Sequence, residues 1–206
     1  FLVLQGDSES GFREIEYDIK HNLLHPKNYK DLLYIPNFIC FGQNDVDGAE
    51  EQKLKIEKFY KYGSIRISNF LHYIQKNNIK LNKTLFDICF ISEGGTLDNH
   101  RYRDEFIEGG HKELLKFTIR FAIQNNLKFV FAARKFENTS AFKSELDFYK
   151  PHLSSKELEF LILNINKRKN RFSSYFPLLQ SNVAVGSSST LLYDKIGLNE
   201  KILSSN

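Results

Sequence analysis

Cysteine is scarce in this 206-residue chain: the two present, Cys40 and Cys89, lie inside the apolar runs FICFG and FDICFIS. That disfavours a disulfide framework and leaves each thiol the role of a small core hydrophobe in a reducing, cytoplasmic setting. Long apolar runs are missing, none approaching the roughly 20 residues of a membrane-spanning helix, so a soluble globular protein is expected. Metal-ligand spacing is missing as well. The histidines at 21, 25, 72, 100, 111 and 152 form no ligand pattern, and neither cysteine is near one of them. A zinc site or a Cys–His nucleophile is therefore disfavoured, and no metal or cofactor is expected. There is no G-x-G-x-x-G, which argues against a dinucleotide fold of the dehydrogenase kind. Charge of one sign is also lacking: the net charge is +4, and lysines alternate with glutamates. This balance suits an anionic ligand or a membrane surface and does not indicate nucleic acid.

What is present is concentrated at residues 182–206, NVAVGSSSTLLYDKIGLNEKILSSN. Val183, Ala184 and Val185 read as a strand buried on both faces, closed by Gly186. Ser187, Ser188, Ser189 and Thr190 then precede an amphipathic helix carrying Leu191, Leu192, Tyr193 and Ile196. Any of the four hydroxyls can cap that helix, and its unpaired first-turn amides face an anion site. Gly197 is expected at the helix C-cap, with the next strand starting at Lys201.

The second half of the chain alternates strands with helices, which predicts a parallel sheet with right-handed crossovers. Strands are expected at 86–91, 127–133 and 183–185, and helices at 110–126, 157–165 and 172–179. In the first half, strands are expected at 1–4 and 38–41 and helices at 50–60 and from 70 toward 77. The polar stretch from 77 to 84 places a domain boundary, giving domains 1–80 and 81–206. The chain opens on Phe1 within a strand-like run and is expected to be an internal fragment of a longer protein.

Ligands bind such sheets at the carboxyl ends of the strands. Four loops converge there: Ser92-Glu93-Gly94-Gly95, Arg134-Lys135, the turn from Gly186 to Thr190, and whatever follows Ser205. The double glycine lets a ligand approach the backbone closely. Arg134 and Lys135 place cations beside the crevice, and Asp194, four residues past Thr190, is within reach of a ribose diol. Glu93 and Asp98 are the acid/base candidates.

The segments FGQND (41–45), YGSIR (62–66), FDICFISE (86–93), FVFAARK (129–135) and, above all, the closing segment from Ser181 onward resemble bacterial surface-carbohydrate biosynthesis proteins. These are similar to Kdo-transferase-like enzymes of the glycosyltransferase-B fold. The resemblance implies two Rossmann-like α/β domains with parallel sheets, the carboxyl-terminal one holding a nucleotide-activated sugar such as CMP-Kdo for transfer to a capsule or lipopolysaccharide glycan. It matches Ser187, Ser188, Ser189 and Thr190 to the phosphate loop and Asp194 to an acidic helix position. Where such proteins carry Gln-His-Gly, this chain has Gln5-Gly6-Asp7. The implied partners are a nucleotide sugar and a glycan or glycolipid acceptor, at the inner face of the membrane. A CDP-glycerol type polyol-phosphate transferase and a non-catalytic sugar-nucleotide-binding protein are the alternatives.

Overall fold

The computed structural model describes residues 3–4, 34–51, 53–93, 105–187 and 189–204. The chain divides into two compact units, Phe1–Leu71 and His72–Asn206.

In the first unit, β1 (Val3–Leu4), β2 (Tyr34–Cys40) and β3 (Lys55–Lys61) form a parallel sheet in that order, and α1 (Gln43–Glu51) connects β2 to β3. The helix expected at 50–60 is not formed. α1 stops at Glu51 because Lys53 turns left-handed (φ 57°), with Lys53 N–H bonded to Glu50 O and Leu54 N–H to Ala49 O. That closure is a Schellman motif built on lysine rather than glycine. The residues that follow pair as a strand, Ile56 with Ile35 and Phe59 with Phe38, around a small core that includes Cys40. A further helix, α2 (Ile65–Lys76), contains the division between the units.

The second unit is an all-parallel sheet of five strands: β4 (Phe86–Ile91), β5 (Phe129–Phe136), β6 (Ile165–Arg168), β7 (Ser181–Gly186) and β8 (Lys201–Ser204). Its order is β6-β5-β4-β7-β8. The chain therefore winds outward from β4 in one direction, then returns to the other side of β4, the doubly wound Rossmann-like pattern. α3 (Glu105–Gln124), α4 (Ser140–Tyr149) and α5 (Ser155–Leu163) belong to the first winding, and α6 (Tyr175–Leu179) and α7 (Thr190–Gly197) to the second. Ile88 and Phe90 of β4 pack with Leu115, Ile119 and Ala122 of α3, Phe129 and Phe131 of β5, and Tyr149. The alternate β4 residues, Cys89 and Ile91, point to the opposite face and are equally buried.

The expected strands at 86–91, 127–133 and 183–185 correspond to β4, β5 and β7. β6 and α4 had no sequence expectation. Pro177 sits within the first turn of α6, where its missing N–H removes no helical bond. Gly197 is not the left-handed cap expected of it: the helix caps at Leu198, and Asn199 takes the positive φ of 58°. Both cysteines are free and buried, and burial pushes the Cys89 thiol up to about 12, so it stays protonated. Among the described residues no helix is long and apolar enough to cross a membrane.

α5 starts on a capping box. Ser154 Oγ accepts from Glu157 N–H at 3.4 Å, and Glu157 Oε2 accepts from Ser154 N–H at 2.7 Å. Glu157 Oε1 also accepts from Arg120 Nε on α3, at 2.5 Å. Burial alone would raise this carboxyl, but the Ser154 bonds and Arg120 outweigh it and hold it at about 2 against an ordinary 4.5. The unfolded chain thus binds the proton first, so the contribution is full above 4.5 and is lost as pH falls toward 2. Glu157→Gln is expected to lower stability by about 1 kcal/mol at neutral pH. Urea denaturation at pH 7, 4 and 3 checks it, because the variant should lose less stability than the wild type across that acid range.

Candidate functional site

Strand order reverses between β4 and β7, and a doubly wound sheet opens a crevice at such a point. The carboxyl ends there deliver Ser92 and Glu93 from β4, and Gly186 and Ser187 from β7. Ser189 caps α7, its Oγ accepting from Leu191 N–H at 3.4 Å, and Thr190 is the first helical residue. A Cβ at Gly186 would be tight, 3.2 Å from Leu192 Cδ1 and 3.5 Å from Ile91 Cβ, so that Leu192 would have to give way by a few tenths of an ångström. The absent side chain lets α7 start close against the strand ends, with Ser187 between them.

Behind these ends a chain of polar side chains runs through the interior. Ser187 Oγ lies 2.9 Å from His111 Nδ1, and His111 Nε2 lies 2.9 Å from the Tyr149 hydroxyl. The Tyr149 hydroxyl is 3.1 Å from Ser92 Oγ, which donates to Glu145 Oε1. Glu145 also accepts from the backbone N–H groups of Arg134 and Lys135, each at 2.9 Å. Glu93 N–H approaches His111 Nε2 at 3.3 Å, the longest of these contacts. His111, Tyr149, Ser92 and Glu145 are 4, 1, 4 and 1 % exposed. Ser187 is partly open, so the chain leads from solvent inward.

Burial lowers the His111 pKa below its ordinary 6.5, opposed by the nearby negative charge of Glu93. The ring is neutral at pH 7, with one nitrogen donating and one accepting. The sequence reading passed over this residue, since the histidines lacked ligand spacing. A signal existed: His111 heads the buried stripe of α3 formed by Leu115, Thr118, Ile119 and Ala122, where an apolar residue is the rule. Glu145 and Tyr149 stand four apart on the buried side of α4, a segment with no expectation at all.

The other expected site residues are placed as follows. Arg134 is exposed and reaches across to β4, donating from Nη1 to Glu93 O at 2.5 Å, while Lys135 is half-buried. Both lie within β5, near its carboxyl end, and β5 is separated from β7 by β4. Asp194 is 3 % exposed and its Oδ2 accepts from Tyr175 OH at 2.7 Å, so it ties α6 to α7 inside the unit. Gly94, Gly95, Asp98 and Ser188 lie outside the described residues, as do Gln5, Gly6 and Asp7. Among the described residues no three His, Cys, Asp or Glu side chains converge as a metal-holding group.

Glu145→Gln is expected to destabilise the chain by about 2 kcal/mol. An amide offers one acceptor oxygen where three donors converge, and its NH2 meets donors rather than acceptors. Denaturant titration of the variant beside the wild type reads the loss, and equal stability would remove Glu145 from its anchoring place.

No protein-family model, curated protein or solved structure matches the chain, so its chemistry has to be argued from the geometry of these strand ends.

Proposed function

We propose that the second unit binds the nucleotide-activated sugar of a glycosyltransferase with two Rossmann-like domains, of the glycosyltransferase-B kind. What carries the reading is the hydroxyl-lined turn between β7 and α7, at the switch point of a doubly wound sheet, with Ser187 held by His111. In this reading the first-turn amides of α7 and the hydroxyls of Ser187, Ser188, Ser189 and Thr190 take the donor phosphate. Gly94 and Gly95, which follow Glu93 in the sequence, are taken as donor-binding residues in the same reading. Arg134 or Lys135 offsets the charge that develops on the departing nucleotide, so the chemistry runs without a metal. Asp194 has no part in it, since its carboxylate is buried against Tyr175.

The sugar donor is CMP-Kdo or a related nucleotide sugar, and the acceptor is a capsule or lipopolysaccharide glycan at the inner face of the membrane. Glu93, fixed by its backbone to His111 and Arg134, is the base or sugar-orienting carboxylate, and Asp98, five residues on in the sequence, is the second candidate.

Replacing Ser187 and Ser189 together by alanine should weaken nucleotide binding about tenfold or more for each charge-assisted bond lost. Calorimetric titration with CMP and CDP measures it, and a folded double variant with wild-type affinity overturns the phosphate assignment. Tight CDP binding without CMP binding would instead favour a polyol-phosphate donor.

Glu93→Gln separates an enzyme from a sugar-nucleotide carrier. Turnover in the full-length protein should fall by about a hundredfold with donor binding preserved. Wild-type turnover would remove Glu93 from the chemistry and turn attention to Asp98.

A further inference from the structure

Between Glu159 and Asp194 the sequence holds no acidic residue, although it holds Lys167, Arg168, Lys169 and Arg171. The loops that leave the carboxyl ends of β6 and β7 both lie in that stretch. An excess of one charge at the ligand end of a sheet favours a ligand of the opposite sign. The β7 loop brings hydroxyls to such a ligand, and the β6 loop brings the cations.

Arg168 closes β6, and its guanidinium lies 4.5 Å over the ring of Phe136, its strand partner in β5. Nη1 donates to Arg134 O at 2.6 Å, and Nε is buried without an acceptor. Arg134 in turn donates from Nη1 to Glu93 O at 2.5 Å. Each guanidinium is thus tied to the backbone of the neighbouring strand. Among the described residues neither has a carboxylate within ion-pair distance. Burial and then the like charge of Arg134 lower the Arg168 pKa, opposed by the charge of Glu145. Glu145 comes no closer, because its oxygens already accept from Ser92 and two backbone amides. The guanidinium stays charged at neutral pH all the same.

Two cations held side by side without a counterion are costly unless an anion joins them. The β6 loop has few backbone donors to offer in their place. Lys169 N–H and Asn170 N–H are both taken by Ser173 Oγ, at 3.0 and 2.9 Å, and Phe172 N–H by Asn170 Oδ1 at 2.9 Å. An anion is therefore left to the guanidinium groups, whose placement the Phe136 ring and the two carbonyls have already fixed. We propose that Arg134 and Arg168 form a second oxyanion subsite, across β4 from the Ser187 turn, that takes a phosphate or carboxylate group of a substrate. This subsite needs no nucleotide at Ser187. Where the nucleotide reading holds, Arg134 serves the second anion and Lys135 is left to the departing nucleotide. The second anion is then either a further charged group of the nucleotide ligand or one carried by a separate acceptor.

The test follows the 15N–1H signals of the arginine Nε groups while the 206-residue chain is titrated with inorganic phosphate, and separately with acetate, at constant ionic strength. Phosphate should shift Arg134 and Arg168 saturably, while Arg120, whose Nε is held by Glu157, stays in place. A tighter response to acetate would make the group a carboxylate. Arg168→Met keeps a stem against Phe136 and should weaken phosphate binding about tenfold or more, read at Arg134. Arg168→Lys keeps the charge without the fork and should weaken it about threefold or more. Phosphate should also raise the urea midpoint of the wild type and leave that of Arg168→Met unchanged, which a purely structural arginine would not do. With CMP at saturation, a phosphate response that persists at Arg168 gives the second anion to a separate molecule. A response abolished by CDP but not by CMP gives it to the second phosphate of the nucleotide. Loss of the response with CMP alone means one shared anion and overturns the second subsite, as does a wild type in which the Arg134 and Arg168 signals do not move. CMP that fails to bind overturns the nucleotide reading, and the phosphate titration then decides this subsite by itself.

Discussion

Three donors meet at the carboxylate of Glu145, and their arrangement fixes the strand ends on which the site is built. Two are backbone amides at the end of β5 and the third is the side chain of Ser92, just past β4. A helix residue thus closes the ends of two adjacent parallel strands, where the regular ladder has stopped and the amides would otherwise lack partners. Burial makes the arrangement consequential. At 1 % exposure Glu145 has no water to substitute for a lost donor, so the carboxylate and strand ends hold one another in a single geometry.

From that anchor the order passes outward through Tyr149 and His111 to Ser187, the one member open to solvent. β5 and β7 are not neighbours, because β4 lies between them. The polar chain nevertheless connects their ends by passing over β4 on its α3 and α4 side. A ligand at the switch point would thus meet groups whose positions are already set, which is what electrostatic preorganisation requires.

Much of the second unit was legible in the sequence because strands buried on both faces in a parallel sheet read as unbroken apolar runs, as in FDICFI and SNVAVG. The strands that escaped notice, β3 (KIEKFYK) and β6 (INKR), are edges of their sheets among the described residues. Edge strands carry charge to prevent further pairing, and charge erases the apolar signal by which a strand is recognised. The site divides in the same way. The hydroxyls of Ser187, Ser189 and Thr190 lie together at a strand-to-helix turn and could be found by local reasoning. His111, Glu145 and Tyr149 could not, since the contacts that unite them span 38 residues from His111 to Tyr149 and 53 from Ser92 to Glu145. Polar contacts between elements have no period and leave no local pattern.

The charged residues of α7 belong to the same design. Lys195 is fully buried and donates to Leu178 O, Ser181 O and Glu200 Oε2, at 2.7, 2.9 and 2.8 Å. Beside it Asp194 accepts from Tyr175. Read as a sequence, Asp194 and Lys195 look like the solvated face of an amphipathic helix; in the fold they bind α7 to the segment just before β7. An eight-residue helix is too short to be stable by propensity alone, so its place depends on such contacts. Leu192 packs closely over Gly186 and the buried Asp194 and Lys195 fix the orientation of the helix, leaving its first-turn amides and the Ser189 cap beside Ser187. The two charges of α7 are thus spent on holding the helix in place, while the neutral hydroxyls ahead of them are left at the mouth of the loop.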